Sequence, residues 1–205
     1  MGKRTSLYFI GLAIAALGIA LVIKSATGTG PWDTVAVGLN LHFGLTIGIW
    51  SIISQGLLIF VTALVERKRP QFLPLVVLMI RSAFLDFWLY IVLRNVDFTS
   101  SVITQWLTFT IGLIGLGIGI GIYLLANFSA SPVDGLMVAI HNRFGYSFTI
   151  SRLLIESNAV FIGFLLGGPV GLGTLIMAFL LGRIVQSSYG FFQKLNSKET
   201  ESLSA

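Results

Sequence analysis

The chain has 205 residues, of which 55% are apolar and only 10% are charged, and its mean hydropathy is +0.91. Soluble domains carry roughly 25% charged residues, so the composition argues against a soluble enzyme, a secreted module or a disordered segment. It predicts a multi-spanning membrane protein surrounded by the lipid bilayer. The net charge of +5 is attributed to cytoplasmic loops rather than to nucleic-acid binding. The chain has no cysteine, which excludes thiolate catalysis and cysteine metal sites.

Six stretches are apolar and long enough to cross a bilayer, whose hydrocarbon core needs about 20 helical residues. We interpret the first as an uncleaved helix rather than a signal peptide, because five more spans follow it. The sequence therefore predicts an all-α polytopic membrane protein with one membrane domain, 1–205, and a polar cytoplasmic tail at 193–205. The spans lie at about 7–26, 46–65, 72–93, 103–126, 148–167 and 170–190.

Basic residues outside the spans predict the orientation of the chain. Only Lys24 and Arg94 fall on one side of the six-span arrangement, and eight basic residues fall on the other. Because cytoplasmic loops carry an excess of Lys and Arg, both termini are predicted to be cytoplasmic. The eight residues are Lys3, Arg4, Arg67, Lys68, Arg69, Arg143, Lys194 and Lys198.

The first half of the chain recurs in the second half at an offset of 101 residues. Segment 31–44 matches segment 132–145 in its Pro-x-Asp start and its Phe-Gly end. This match defines repeat 1 at about 5–95 and repeat 2 at about 103–192. Each repeat holds three spans, which is an odd number, so the second repeat is predicted to be inverted relative to the first. Many secondary transporters use this 3+3 architecture.

The segments 31–44 and 132–145 are each predicted to form a short helix. Apolar residues recur at helical spacing in both, proline opens both, and Asp33 and Asp134 lie in the first turns, where a carboxylate meets the positive end of the helix. Either helix can be amphipathic and interfacial, with its aspartate as a capping residue. Alternatively, it can be a re-entrant half-helix whose start faces a central cavity. The amphipathy and the short length favour the interfacial interpretation.

Five ionisable residues lie inside the predicted spans, where each costs roughly 2.5–3.5 kcal/mol on insertion scales. Arg152 and Glu156 are four residues apart on one helix, so they are predicted to pair. Arg81 and Asp86 lie in the third span, and Arg183 lies in the sixth. These groups either lock helices together or bind a substrate. Three arginines against two carboxylates leave one positive charge, which suits an anionic substrate held by a guanidinium group.

Glycines in the fourth span predict close helix packing rather than chemistry. Gly115 with Gly119 and Gly117 with Gly121 form two overlapping small-x-x-x-small pairs. The sequence holds no nucleotide-binding or nucleophile motif, so we expect neither an enzyme nor a cofactor. His42 is one of only two histidines, too few for a histidine-rich metal site.

Two motifs indicate a family. The sequences A-T-G-T-G-P-W-D at 26–33 and S-A-S-P-V-D at 129–134, within the six-span and two-repeat layout, resemble the YczE/YyaS/YitT-type bacterial integral membrane proteins, a largely uncharacterised family. The resemblance covers about 5–192. It implies a multi-pass protein of the bacterial plasma membrane, and it supplies no catalytic residues.

These patterns lead to a functional expectation. We expect a small-solute transporter or permease whose site lies between the inverted repeats and takes an unknown, anionic solute. Arg81 and Arg183 are the preferred substrate residues, because the repeat brings them opposite one another after a one-residue shift. The alternative is a non-transporting accessory protein that supports the maturation or activity of a membrane or cytoplasmic protein partner. The expected substrate-binding residues are Arg81, Arg183, Glu156, Asp86, Asp33 and Asp134.

Overall fold

The computed structural model describes residues 2–126 and 131–204, with side chains for 5–126, 131–147 and 150–194. Within these residues all regular structure is helical. The fourth helix continues beyond its α-helical part as a π-helix, Phe87–Val92. The helices are α1 Gly2–Lys24, α2 Pro31–Phe43, α3 Ile47–Glu66, α4 Leu73–Asp86, α5 Val102–Leu124, α6 Pro132–Phe144, α7 Phe148–Leu165 and α8 Leu172–Ser204.

Several of these helices match the thickness of a bilayer. Five segments of the described chain are long and apolar enough to cross a membrane, and they correspond to five of the six predicted spans. The remaining predicted span forms α7, which has 18 residues and is not among the five. The predicted tail at 193–205 begins inside α8, which continues to Ser204. The five segments are Thr5–Lys24, Ile47–Glu66, Leu73–Val92, Val102–Leu124 and Leu172–Lys194.

The centre of the fold is an antiparallel contact between α1 and α5. A Cβ atom on Gly11 would lie 2.8 Å from the carbonyl oxygen of Gly119, and one on Gly18 would lie 2.6 Å from that of Gly112. As the residue number rises along α1, it therefore falls along α5. Because both contacts bring backbone against backbone, any side chain at these glycines would force the two helices apart.

The other face of α5 packs against α8. A Cβ atom on Gly117 would lie 2.9 Å from the Cβ of Ile184, and one on Gly121 would lie 2.7 Å from the Cβ of Ser188. Here the residue numbers rise together, so α5 and α8 are parallel. The glycines of the fourth predicted span therefore serve helix packing, as predicted, and they divide between two neighbouring helices.

Each short helix packs against the other half of the chain. Helix α2 contacts α7, and α6 contacts α3. Similarly, α1 contacts α4 and α5 contacts α8, so most helix contacts of one half have a counterpart in the other. The contact between α3 and α4 has no counterpart of similar extent between α7 and α8 within the described residues.

The bundle has two distinguishable ends. Tyr8, Val77 and Tyr123 belong to one apolar cluster, so the start of α1, the start of α4 and the end of α5 lie together. We call this the basic end, because the α3–α4 connection with residues 67–69 lies there and carries three basic side chains. The end of α1, the end of α7 and the start of α8 form the opposite end.

Helix α2 does not have the predicted interfacial character. The six consecutive residues Asp33–Gly38 are all buried, so protein encloses the first half of α2 on every side. In α6, by contrast, the buried residues Pro132, Leu136 and Ala139 form one stripe at helical spacing. The amphipathic interpretation therefore fits α6 and is wrong for α2, whose environment agrees with a re-entrant helix.

Glycine-rich backbone ties the two halves together at the opposite end. The amide of Thr29 donates to the carbonyl oxygen of Pro169 at 3.0 Å, and the amide of Gly173 donates to that of Thr27 at 2.9 Å. Gly28 has a φ of +123°, a conformation that only glycine adopts readily. The segment before α2 is thereby fixed to the α7–α8 connection.

Candidate functional site

The carboxylate of Asp33 lies in the protein interior without a direct partner. Asp33 is in the first turn of α2 and only 8% exposed. Its carboxylate forms no hydrogen bond or ion pair with any described residue, and its electrostatic neighbour is Arg81. A Cβ atom on Gly30 would lie 2.7 Å from Asp33 Oδ2, so the glycine before α2 makes room for this carboxylate.

The guanidinium of Arg81 is the second unpaired charge of the interior. Arg81 lies near the middle of the span formed by α4 and its π-helical extension. Its Nη2 atom is buried and has no hydrogen-bond partner among the described residues. Arg81 and Asp33 interact electrostatically without forming an ion pair. The two ionisable groups are thus electrostatic neighbours in the interior, and they do not contact each other directly.

Three further charged residues form a cluster toward the basic end. The Nε of Arg152 donates to Glu156 Oε1 at 2.8 Å, which confirms the pairing predicted along α7. The Nη1 of Arg152 lies 3.7 Å from Asp134 Oδ1. Ser131 caps the start of α6 and donates its hydroxyl to Asp134 Oδ2 at 2.8 Å. Asp134 therefore lies in the first turn of α6, as predicted, but Ser131 rather than Asp134 caps the helix. The contact of Asp134 with Arg152 joins α6 to α7.

Tyr123 of α5 lies between the two groups of ionisable residues. Its electrostatic neighbours include Arg81 on one side and both Asp134 and Arg152 on the other. No local pattern in the sequence distinguishes Tyr123, because a tyrosine near a helix end is common at the membrane interface.

A cavity of about 250 Å³ opens at the basic end between α3, α4 and α6. It borders the charged cluster, since Asp134 lines it. Its other polar lining comes from the end of α3 and the α3–α4 connection. The lining side chains are those of Ile59, Thr62, Ala63, Glu66, Arg69, Gln71, Pro74, Pro132, Asp134 and Val138, together with Gly135.

Asp86 fulfils a structural role at the start of α3. Its Oδ1 accepts the amide hydrogen of Gly48 at 2.7 Å, and its Oδ2 accepts the hydroxyl hydrogen of Thr46. A carboxylate at this position satisfies free amides and meets the positive end of α3. Asp86 therefore joins α4 to the start of α3.

Arg183 does not lie in the interior, contrary to the expectation from the repeat. It is exposed on α8, whereas Arg81 is partly buried with a fully buried Nη2 atom. The two arginines are thus not equivalent, although the repeat aligns them. The physical reason is that α8 packs mainly against α5, with Ile184 rather than Arg183 facing that helix.

Several buried hydroxyl groups also lack a partner in the described structure, and sequence analysis had not identified them as site residues. Each such buried group costs about 1–3 kcal/mol when nothing pairs with it. A serine or threonine in an apolar span gives no signal of this, because most bond to their own helix. The hydroxyl groups are those of Thr29, Ser51, Ser82 and Ser151.

The membrane-length helices and the charges enclosed by them define a polytopic α-helical membrane protein. The chain belongs to a family of unknown function, DUF6198, whose sequence model matches residues 2–189. It is 36% identical over 186 residues to the "Uncharacterized membrane protein YczE" of Bacillus subtilis, covering 90% of this chain and 85% of that one. It is 34% identical over 178 residues to the "Uncharacterized protein YyaS" of the same organism, covering 87% and 88%.

A more distant relative is an "Uncharacterized protein" of Haemophilus influenzae, 29% identical over 184 residues, with 90% of this chain and 82% of the relative covered. No solved structure matches the chain significantly. The family suggested by the Pro-x-Asp motifs is confirmed by these comparisons.

Proposed function

We propose that this protein is a small-solute permease built from two inverted repeats of three spans, with both termini in the cytoplasm. The contact of Gly11 with Gly119 supports this proposal. The repeat offset of 101 converts residue number 11 into 112 and residue number 119 into 18. Gly112 and Gly18 also form a contact. The antiparallel arrangement of α1 and α5 is what a twofold axis in the membrane plane would produce.

The unpaired charges of Asp33 and Arg81 carry the functional part of the proposal. Leaving one partner of a buried charge pair uncompensated costs about 3–5 kcal/mol, so a purely structural role would favour direct contact between the two groups. Their separation favours a role in binding, in which a polar solute bridges them. Intramembrane ionisable residues in general indicate substrate or ion pathways.

The two groups also indicate the chemistry of the solute. Arg81 offers a guanidinium to an anionic group such as a carboxylate, and Asp33 accepts hydrogen bonds from an amine, amide or hydroxyl group. The excess positive charge that suggested an anion included Arg183, which is exposed. The solute that fits best therefore carries an anionic group together with a hydrogen-bond donor.

The solute reaches this site from the basic end. Tyr123 interacts electrostatically with Arg81 on one side and with Asp134 on the other, and Asp134 lines the cavity. A volume of about 250 Å³ equals that of roughly eight water molecules. A cavity of this size accommodates a small molecule.

The test is a thermal-shift screen of purified protein against small carboxylates, amino acids, phosphates and polyols. Arg81→Gln and Arg183→Gln form a matched pair, because each removes one charge from an apolar span. A solute that binds at the proposed site raises the Tm of the parent and of Arg183→Gln. It leaves the Tm of Arg81→Gln unchanged.

The same solute should then enter liposomes that contain the parent protein, and Asp33→Asn should reduce this flux at least tenfold. Equal stabilisation of both arginine variants would contradict the proposed site. Binding without flux would contradict the transport function.

A non-transporting accessory protein is the second candidate, and one observation favours it. Helix α8 exposes Arg183 within a membrane-length segment of which only 6% is buried, and an arginine facing lipid is costly. A membrane partner that covers α8 would remove this cost. In that case no solute changes the Tm, and Arg183→Gln lowers the mass of the purified complex, measured by light scattering after size-exclusion chromatography.

A further inference from the structure

Two threonine–glycine pairs occupy equivalent positions in the repeat. Adding 101 to Thr34 of α2 gives Gly135 of α6, and subtracting 101 from Gly163 of α7 gives Thr62 of α3. The contact between α2 and α7 at Thr34 and Gly163 thus corresponds to one between α6 and α3 at Gly135 and Thr62. In the first pair the short helix carries the threonine, and in the second pair it carries the glycine. Each pair therefore combines one larger and one smaller residue.

The pair at the opposite end of the bundle is closed. A Cβ atom on Gly163 would lie 2.8 Å from the Cβ of Thr34 and would also collide with its hydroxyl. Thr34 is completely buried. Four residues later, a Cβ atom on Gly38 would lie 2.6 Å from the Cβ of Leu166. Helix α2 is therefore packed against the end of α7 without intervening space.

The pair at the basic end is open. A Cβ atom on Gly135 would have no described heavy atom within 4 Å outside its own helix and its neighbours in the chain. Gly135 and Thr62 instead both line the cavity of about 250 Å³. The same contact is thus made in one half of the molecule and separated in the other.

We infer that these two pairs are the gates of an alternating-access cycle and that the structure is its inward-open state. The inference rests on the proposed permease function and its topology, which place the basic end in the cytoplasm. When Gly135 closes on Thr62, Thr34 separates from Gly163, and the interior site near Asp33 opens to the other side. Each half then adopts the conformation of its counterpart, as inverted repeats allow.

Disulfide trapping tests this exchange, and the absence of native cysteine means that every introduced thiol is unique. A disulfide needs Cβ atoms about 3.5–4.5 Å apart. In the present conformation no atom of Thr62 lies within 4 Å of a Cβ at position 135, so we expect the double variant Gly135→Cys/Thr62→Cys to cross-link slowly. It cross-links rapidly under mild oxidation only if the start of α6 moves toward the end of α3. Both positions line a cavity, so the variant is expected to fold, which the Tm of the reduced protein will verify.

The matched control is Gly135→Cys/Gln71→Cys. Gln71 lines the same cavity, but the repeat does not bring its position into contact with that of Gly135. We expect the threonine–glycine pair to cross-link at least tenfold faster than this control pair. A third substitution, Thr34→Cys, should then become at least tenfold more reactive toward an impermeant maleimide once the first disulfide has formed.

Equal rates for the two pairs would overturn the inference, because random motion of α6 would explain both. A fast disulfide that leaves Thr34→Cys protected would overturn it too, because closure at one end would then not open the other. Transport is tested separately. If the exchange is observed but no solute binds or crosses the membrane, the two pairs are supported as gates and the permease function is contradicted.

Discussion

The antiparallel contact of α1 with α5 predicts opposite outcomes for two alanine substitutions one helical turn apart. In Gly119→Ala, the new Cβ would lie 2.7 Å from the carbonyl oxygen of Gly11 and 2.8 Å from the Cα of Ala15. Carbon contacts are ordinarily 3.5–4.0 Å, so the helices would have to separate by about 1 Å. In Gly115→Ala, the nearest atom would be the Cα of Gly18 at 4.0 Å, which is an ordinary contact.

The magnitudes follow from packing and from helix propensity. Overpacking costs about 1–3 kcal/mol, and replacing a helical glycine by alanine contributes about 0.5–1 kcal/mol of stabilisation. Gly119→Ala should therefore lose about 1–2 kcal/mol, whereas Gly115→Ala should keep or gain stability. At about 2–4 °C per kcal/mol for a chain of this size, the Tm of Gly119→Ala should fall by roughly 2–8 °C.

Tryptophan fluorescence during heating in one detergent measures both Tm values. Gly182→Ala on α8 provides a further control, because its Cβ would meet nothing within 4 Å. Equal changes in Tm for Gly119→Ala and Gly115→Ala would contradict the close contact of α1 with α5 at Gly119.

Other predictions concern the charged residues and the topology. Asp86→Asn should lower the Tm in detergent, because it weakens two hydrogen bonds of a carboxylate, each worth about 1.5–3 kcal/mol. Stabilisation by a ligand should persist in this variant. Loss of the ligand response at an unchanged Tm would instead assign Asp86 to the site. Glu156→Gln should cost less than about 1 kcal/mol, since its ion pair with Arg152 is partly exposed; a loss of several kcal/mol in unfolding experiments would show that the pair is enclosed. Reporter fusions after Asp97 and after Gly145 should give signals from opposite sides of the membrane, and signals from the same side would refute the six-span topology.

Local sequence signals predicted the short helices well. Proline at the first helical position and glycine after the last residue define α2 and α6, because both residues act through their own backbone geometry. The ion pair of Arg152 with Glu156 was predictable for the same reason, since four residues along one helix suffice to place the two groups.

Features that depend on distant packing could not be predicted from the sequence. Asp86 binds the start of α3 about 40 residues earlier in the chain, and no local pattern indicates that partner. The repeat aligned Arg81 with Arg183, but only one of them faces the interior, because the neighbours of α4 and α8 differ. Similarly, α2 and α6 occupy equivalent positions in the repeat, and the burial of α2 follows from its close contact with the end of α7.

The crossing of the short helices between halves has a consequence for biosynthesis. Helix α2 leaves the ribosome long before Leu165, the last residue of its partner α7, has been made. At 5–20 residues per second, the carboxylate of Asp33 waits roughly 7–26 seconds for its final surroundings. During that interval the first three spans form a nascent intermediate in which α2 still lacks its partner α7.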